Sequence, residues 1–491
     1  MALLAIELND AGIRAVKDTA PGMEAFPASP GIALWDGDAL VTGREASRRA
    51  RLKPRWSHDR FWQEPDTTPL PSPFPPHVRA ADLLHAHLQE IWNTTKSNVD
   101  EVLLAIPGAF SAGQLGLILG VARACQIPVS GLVDQAVAAS LLARGGDNLI
   151  HLDIHLHRTV ATRVKRGASL ERAEITVDEE AGMARLFDTW VKCLAQAFVR
   201  TTRFDPLHRG ETEQTLYDRL PAWLDALRQE ESAVLTMRAP AKEDKQDQEY
   251  AVEMTREQIV SAASPLLGRL ARLARSSQKA GESAVLLVTP AVAGLPGAMD
   301  LLEDSEVDVI ALPAAAGAMG AVKMKQAIRA ASHRGDQGGQ GEKAHALPFI
   351  TRLPLDPASS KEGMSRGNRW APPSIEGGVT VPTHVLCDGL AHAITSRPLA
   401  LGLEIPDDKR GIDLGASSGT TAGISRLHCT IYERDGRVFL EDHSSYGTFL
   451  NDKRVEGTVT LAAGDRLRLG TPGIELRLIK VTNSNGTTPR D

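Results

Sequence analysis

The chain has four cysteines, few aromatic residues, no long hydrophobic run and no excess of positive charge. Cys125, Cys193, Cys387 and Cys429 lie far apart with no CxxC, which excludes a zinc knuckle and a disulfide framework and fits a reducing compartment. Cys125 and Cys193 sit among apolar helical neighbours and read as packed thiols. Aromatics make up only 4% of an otherwise ordinary globular composition, 42% hydrophobic and 24% charged. The longest apolar stretch, Ile310 to Val322, is mostly alanine and glycine and too short to cross a bilayer. The opening MALLAIELND turns acidic after a few apolar residues and has no basic flank, so no targeting segment is expected. Without one, the sequons at Asn93 and Asn485 would stay unglycosylated, and the expectation is a soluble cytoplasmic protein without membrane insertion. A net charge of -6 argues against a broadly cationic nucleic-acid binder.

At 491 residues the chain has room for two to four domains, each with its own core. The first 50 residues read as short strands, with a hairpin turn at Asp36-Gly37-Asp38. Six prolines between Pro65 and Pro76 mark an exposed loop. Ala80 to Thr94 places Leu83, Leu84, Leu88, Ile91 and Trp92 on one helical face. An α/β stretch follows: a strand at Glu101–Ile106, a helix capped by Ser111, a strand at Val129–Val133 and a helix capped by Asp134. Leu149 to Val164 alternates strictly and reads as two strands. Ala181 to Gln229 is helix-rich, with breaks expected at Asp205-Pro206 and Pro221. Ala241–Gln248 reads as a charged loop, and Thr255 caps a long helix ending near Ser276. Strands are expected at Ala284–Val288 and Val307–Ala311. This alternation implies a partly parallel sheet with helices on both faces. No internal repeat is visible.

From Arg329 the composition turns to glycine, serine, proline and charge, which is linker chemistry. Short strands with glycine and aspartate turns then run from Val379 to Val481 and read as a β-sandwich. The expected division is a first body at 1–328, a linker at 329–378, a sandwich at 379–482 and a tail at 483–491. The charge-dense run Phe198–Leu220 reads as a solvated face. His151, Asp153, His155 and His157 alternate with apolar residues and would share one strand face. His155 and His157, spaced i, i+2, could ligate one zinc ion, but no partner motif accompanies them. The other reading is a polar strand face.

Four segments of the first 325 residues resemble, in collinear order, the nucleotide-binding domain of the Hsp70 and actin-like ATPase superfamily. They are Gly31–Arg51, Glu101–Leu142, Met254–Val260 and Ala284–Glu303. The resemblance implies an α/β actin-like fold with two glycine-turned loops that cradle phosphate through backbone N–H groups. In this chain the first loop reads Glu7-Leu8-Asn9-Asp10-Ala11, without the family's glycine and hydroxyls. The second reads Asp153-Ile154-His155-Leu156-His157, with every glycine gone. Thr289-Pro290 replaces a glycine pair at the adenosine. Glu7, Asp10 and Asp153 would line a degenerate cleft. The expectation is a pseudo-ATPase without a cofactor, with ATP and magnesium tied to the alternative of a divergent ATPase.

Ile424 to Gly470 closely resembles a forkhead-associated (FHA) domain, a β-sandwich that reads phosphothreonine on loops at one end. Ser425-Arg426-Leu427-His428 fits its S-R-x-H element. Asp442, Ser445, Gly447, Thr448 and Asn451 fit the next, and Leu461, Gly464, Asp465 and Gly470 the last. A hydroxyl, backbone donors and a guanidinium suit a dianionic phosphate. The resemblance implies phosphopeptide contacts from Ser425, Arg426, Gly447, Thr448 and Asn451, and a structural role for His428. Two positions depart from the pattern: Leu403 replaces an arginine and Tyr446 replaces an asparagine. Lys409 or Arg410, in the insert Glu404–Gly423, could restore the charge. Two classes follow. One is a non-catalytic adaptor that recruits a protein partner, through phosphothreonine or independently of phosphate. The other is a divergent Hsp70-like ATPase targeted by its FHA module.

Overall fold

The computed structural model describes residues 2–19, 22–143, 145–239, 248–279, 282–303, 307–334, 347–355, 381–387, 390–405, 410–414, 423–451, 453–455, 457–471, 473–480 and 482–483. β1 (Leu3–Glu7) is buried along its whole length, as an unbroken apolar run demands of a central strand. β2 (Arg14–Thr19) and β3 (Gly22–Ala25) follow it antiparallel. A side sheet of β4 (Ala33–Trp35), β5 (Leu40–Thr42) and β6 (Ser57–His58) carries the short α1 (Gly43–Ser47). α2 (Ala80–Thr95) buries its expected apolar face. β7 (Glu101–Ile106) lies parallel to β1. Ser111 opens α3 (Ala112–Ala124) with a capping box: its Oγ accepts from the Gln114 N–H, and Gln114 Oε1 accepts from the Ser111 N–H. β8 (Val129–Asp134) extends the sheet, and Asp134 caps α4 (Gln135–Ser140) through the Val137 N–H.

The second lobe repeats this plan. β9 (Asn148–Ile154), β10 (Thr159–Arg166) and β11 (Ser169–Asp178) form an antiparallel meander. α5 (Met183–Thr202), α6 (Gly210–Gln229), the hairpin β12 (Ser232–Ala239) and β13 (Gln248–Thr255), and α7 (Arg256–Ser276) share one apolar core with it. β14 (Val285–Val288) pairs parallel with β9. After the short α8 (Pro290–Ala293) and α9 (Ala298–Glu303), β15 (Asp308–Ala311) pairs parallel with β14. The strand orders are β3-β2-β1-β7-β8 and β11-β10-β9-β14-β15. Each lobe thus sets two antiparallel strands on one side of its first strand and two parallel strands on the other. α10 (Ala316–Lys323) crosses α4 so closely that a Cβ on Gly320 would stand 1.9 Å from the Ala138 carbonyl oxygen. α11 (Lys325–Arg334) follows.

Three expectations are corrected. The linker was expected at 329–378, yet α11 runs to Arg334. β16 (Pro348–Ile350) and β17 (Arg352–Pro354) then add to the edges of the two lobes, against β8 and β11. Phe349, Ile350 and Leu353 are buried, so an apolar island inside a polar segment returned the chain to the core. Pro221 does not break α6, because Leu216, Leu220, Leu224 and Leu227 bury one stripe that outweighs the missing donor. The 483–491 tail was expected to begin at Asn483, which instead belongs to a strand with Thr482 described below. The Ala241–Gln248 loop lies almost wholly outside the described residues.

The C-terminal sandwich pairs two sheets. One holds β18 (His384–Cys387), β19 (Leu390–Ala393), β24 (Thr448–Leu450), β25 (Lys453–Arg454), β27 (Arg466–Leu469) and β28 (Ile474–Ile479). The other holds β20 (Leu399–Gly402), β21 (Gly411–Asp413), β22 (Cys429–Arg434), β23 (Arg437–Asp442) and β26 (Thr458–Leu461). Val385, Leu401, Ile431, Leu440, Leu467 and Leu476 build the core between them. β29 (Thr482–Asn483) then pairs with β16 of the first lobe. α3 packs on β18 and β19, and a Cβ on Gly116 would stand 2.6 Å from His384 Nε2. Gly116→Val is therefore expected to pry the sandwich off α3. The thermal melt should split into two transitions. An unchanged single transition would contradict this contact.

Candidate functional site

The loops at one end of the sandwich are fastened by His428, which is fully buried. Its Nδ1 accepts from the Ser425 N–H (3.1 Å), which leaves the proton on Nε2, 3.3 Å from the Gly447 carbonyl. Burial holds the imidazole below its ordinary pKa, so it stays neutral in this role. Ser425 Oγ accepts from the Ser445 N–H (3.0 Å), tying the two loops together a second time. Asp442 organises the second loop by accepting from the Ser444 N–H (3.1 Å) and the Thr448 hydroxyl (2.7 Å). Burial opposes ionisation of Asp442, but the Thr448 and Ser444 hydrogen bonds outweigh it and hold the carboxyl below its usual range. Gly447 adopts φ 88°, a left-handed turn suited to glycine, and its N–H donates to Ser444 Oγ (2.8 Å). Gly402 is equally constrained, since a Cβ there would meet the Arg426 carbonyl oxygen at 1.8 Å.

Several expected contact residues make hydrogen bonds within the domain. Thr448 is buried and bound to Asp442. Asn451 Nδ2 donates to Asp465 Oδ1 (2.7 Å), and its Oδ1 accepts from the Arg466 N–H (3.0 Å). Arg410 does not supply the missing charge. It stands beside Ala400, at the end of β20 away from Leu403, and its guanidinium donates to the Ala393 carbonyl (2.6 Å) and to Thr395 Oγ1 (3.2 Å). Lys409 lies outside the described residues. Leu403 places its backbone at the loops, with its N–H on the Ser425 carbonyl (3.2 Å), while its side chain packs against the core.

What remains open to a ligand is the Ser425 hydroxyl proton, the exposed Arg426, the exposed Ser445 and Tyr446, which is 60% exposed. Arg454 was missed by the sequence reading. A Cβ on Gly447 would lie 3.0 Å from its Nε, so this exposed guanidinium flanks the loop. The β24–β25 pairing sets Arg454 opposite Phe449, a register that no local motif marks. Residues 412–470 match the family model described as FHA domain. This segment is an FHA domain. The FHA assignment supports a phosphopeptide-binding, protein-interaction module. No curated protein matches the chain.

The second candidate lies where the two lobes meet. Asn9 Nδ2 donates to both carboxylate oxygens of Asp153 (2.9 Å each). Gln135 Nε2 and Thr289 Oγ1 donate to the same carboxylate (2.8 Å each). Glu7 Oε2 accepts from the Ala318 N–H (3.1 Å). Asp10 Oδ1 accepts from the Leu156 N–H (2.9 Å) and lies 3.3 Å from His155 Nδ1, while Asn9 Oδ1 accepts from the Ala11 N–H (2.8 Å). The Ala11 and Leu156 N–H groups are thus taken up by the chain's own side chains. The side chains of Glu7, Asn9, Asp10, Gln135, Asp153, His155 and Thr289 are all buried. His155 and His157 fall beyond the end of β9, His157 turns to Asp59 (3.1 Å), and no set of three ligating residues converges among the described residues.

Burial and the neighbouring charge of Asp153 push Glu7 up to about 7. A folded-state pKa above the ordinary 4.5 means the folded protein holds this proton, and that contribution is lost as pH rises through 7. Glu7→Gln should match the parent in thermal melts at pH 5 and exceed it at pH 8.5 by on the order of 2 kcal/mol. Equal stability at both pH values would contradict a buried, proton-bearing Glu7.

Proposed function

We propose that the chain is a non-catalytic adaptor that recruits a threonine-phosphorylated protein through its FHA domain. The observation that carries this reading is the pairing of Ser425 and Arg426 on a loop held by buried His428, with the hydroxyl and guanidinium left facing solvent. A dianionic phosphate takes charge-assisted hydrogen bonds of this kind, each contributing about 1.5–3 kcal/mol. Loss of the family's arginine at Leu403 moves the electrostatic burden onto Arg426 and Arg454.

The two-lobed body is, in this proposal, a degenerate actin-like domain of the Hsp70 class. Its repeated strand order and the meeting of both first strands at one cleft support this reading. The self-satisfied Asn9, Asp10 and Asp153 contacts favour a scaffold over an ATPase. The intact chain should bind phosphothreonine peptides over their unphosphorylated twins, with no ATP turnover. Ser425→Ala and Arg426→Ala should each weaken phosphopeptide binding at least tenfold in calorimetry, equivalent to about 1.4 kcal/mol. Equal binding of both peptide forms would overturn the phosphate-dependent reading.

A further inference from the structure

The run from Arg44 to Arg60 carries seven arginines and lysines against two acids. Its cations are drawn into contacts within the body. Arg49 and Lys53 are taken by Asp36. Arg51 crosses to the other lobe. Its N–H donates to Gln214 Oε1 (2.8 Å) on α6, and Gln214 Nε2 donates to the Ser47 carbonyl (3.0 Å). Gln214 is buried, and this one amide closes both backbone groups as a neighbouring strand would. Tyr217 stands one turn further along α6. The Arg51 guanidinium lies over its ring, 3.8 Å from the centroid, and its hydroxyl donates to Asp188 of α5. Arg51 Nη2 lies 3.6 Å from the same Asp188 oxygen. A Cβ on Gly210 would stand 3.2 Å from the Arg51 carbonyl oxygen, so the start of α6 lies directly on this loop.

This bridge is separate from the Asp153 network, because it uses elements outside both central sheets. Two smaller contacts join the same lobes: Gln63 Nε2 donates to Glu179 Oε2 (2.6 Å), and His157 Nε2 lies 3.1 Å from Asp59 Oδ1. A third tie is the chain itself. β16 pairs with β8 of the first lobe and β17 with β11 of the second, with only Thr351 between them. Bodies joined at one point can pivot about it, and each further tie removes a freedom of rotation. The half-exposed Arg51–Asp188 ion pair would hold little alone. The weight therefore falls on the buried Gln214 amide and on the stacked Arg51.

We propose that the two-lobed body is locked shut by its own side chains, with the Arg51–Gln214–Tyr217 bridge as a second lock beside the Asp153 network, so that its lobes do not open and close on a ligand. The lock uses none of the FHA loops, so its failure would leave the phosphopeptide reading untouched. Pulsed electron paramagnetic resonance on the intact chain tests it, with spin labels at Arg55→Cys and Glu230→Cys. Both positions are exposed, and they lie on opposite lobes. Cys193→Ala removes the one native thiol that is not fully buried. This labelled parent should give one narrow distance that excess MgATP leaves unchanged. Adding Arg51→Ala/Gln214→Ala should bring in a longer-distance population of about a tenth or more, with circular dichroism matching the parent. Gln214→Ala alone carries the same expectation if the double variant fails to fold. Asp218→Ala, which removes only the partner of Gln214 within α6, should keep the narrow distance. A folded Gln214 variant with the parent's single distance overturns the second lock. A parent distance that MgATP lengthens or shortens overturns the locked body.

Discussion

The binding end of the molecule depends on one buried imidazole. His428 accepts from the Ser425 N–H and donates its remaining proton to the Gly447 carbonyl, so one ring joins the two loops that carry Ser425, Arg426, Ser445 and Tyr446. The ring can do this only while neutral, and burial keeps it so. The Ser425–Ser445 hydrogen bond and the Asp442 contacts then hold the second loop rigid. Preorganisation of this kind spares a ligand the cost of ordering the loops.

The cleft between the lobes shows the opposite use of polar groups. Asp153 accepts from Asn9, Gln135 and Thr289, and Asp10 takes up the Leu156 N–H. These contacts stitch the first strand of one sheet to the first strand of the other, and the carboxylate of Asp10 supplies the negative charge that the loop donors meet. Such a network serves as an interlobe clasp. It fits the proposed scaffold role, in which the body positions the FHA domain through α3 and β29.

Much of this was legible in the sequence because it is local. The caps Ser111, Asp134 and Thr255 mark helix starts through a side-chain oxygen a few residues from its donor. The S-R-x-H element and the glycine turns locate the sandwich loops in the same way. Non-local features were not legible. The two lobes share a strand order without any visible sequence repeat. The strands at Pro348–Pro354 are too short to show a period, and only their burial against distant edges makes them strands. Arg410 sat close in sequence to the missing charge, yet parallel pairing with β20 put it at the wrong end. Arg454 reached the loop through a turn whose register the sequence does not display.

The central claim is that phosphate is read at the junction of the two loops. Titration of the intact, isotope-labelled chain with a phosphothreonine peptide, followed by amide NMR, tests it most directly. The Ser445 and Gly447 amides and the Arg426 side chain should shift together and saturate with the peptide's phosphorus resonance. Saturable binding that leaves those signals in place would put the phosphate elsewhere and contradict the account.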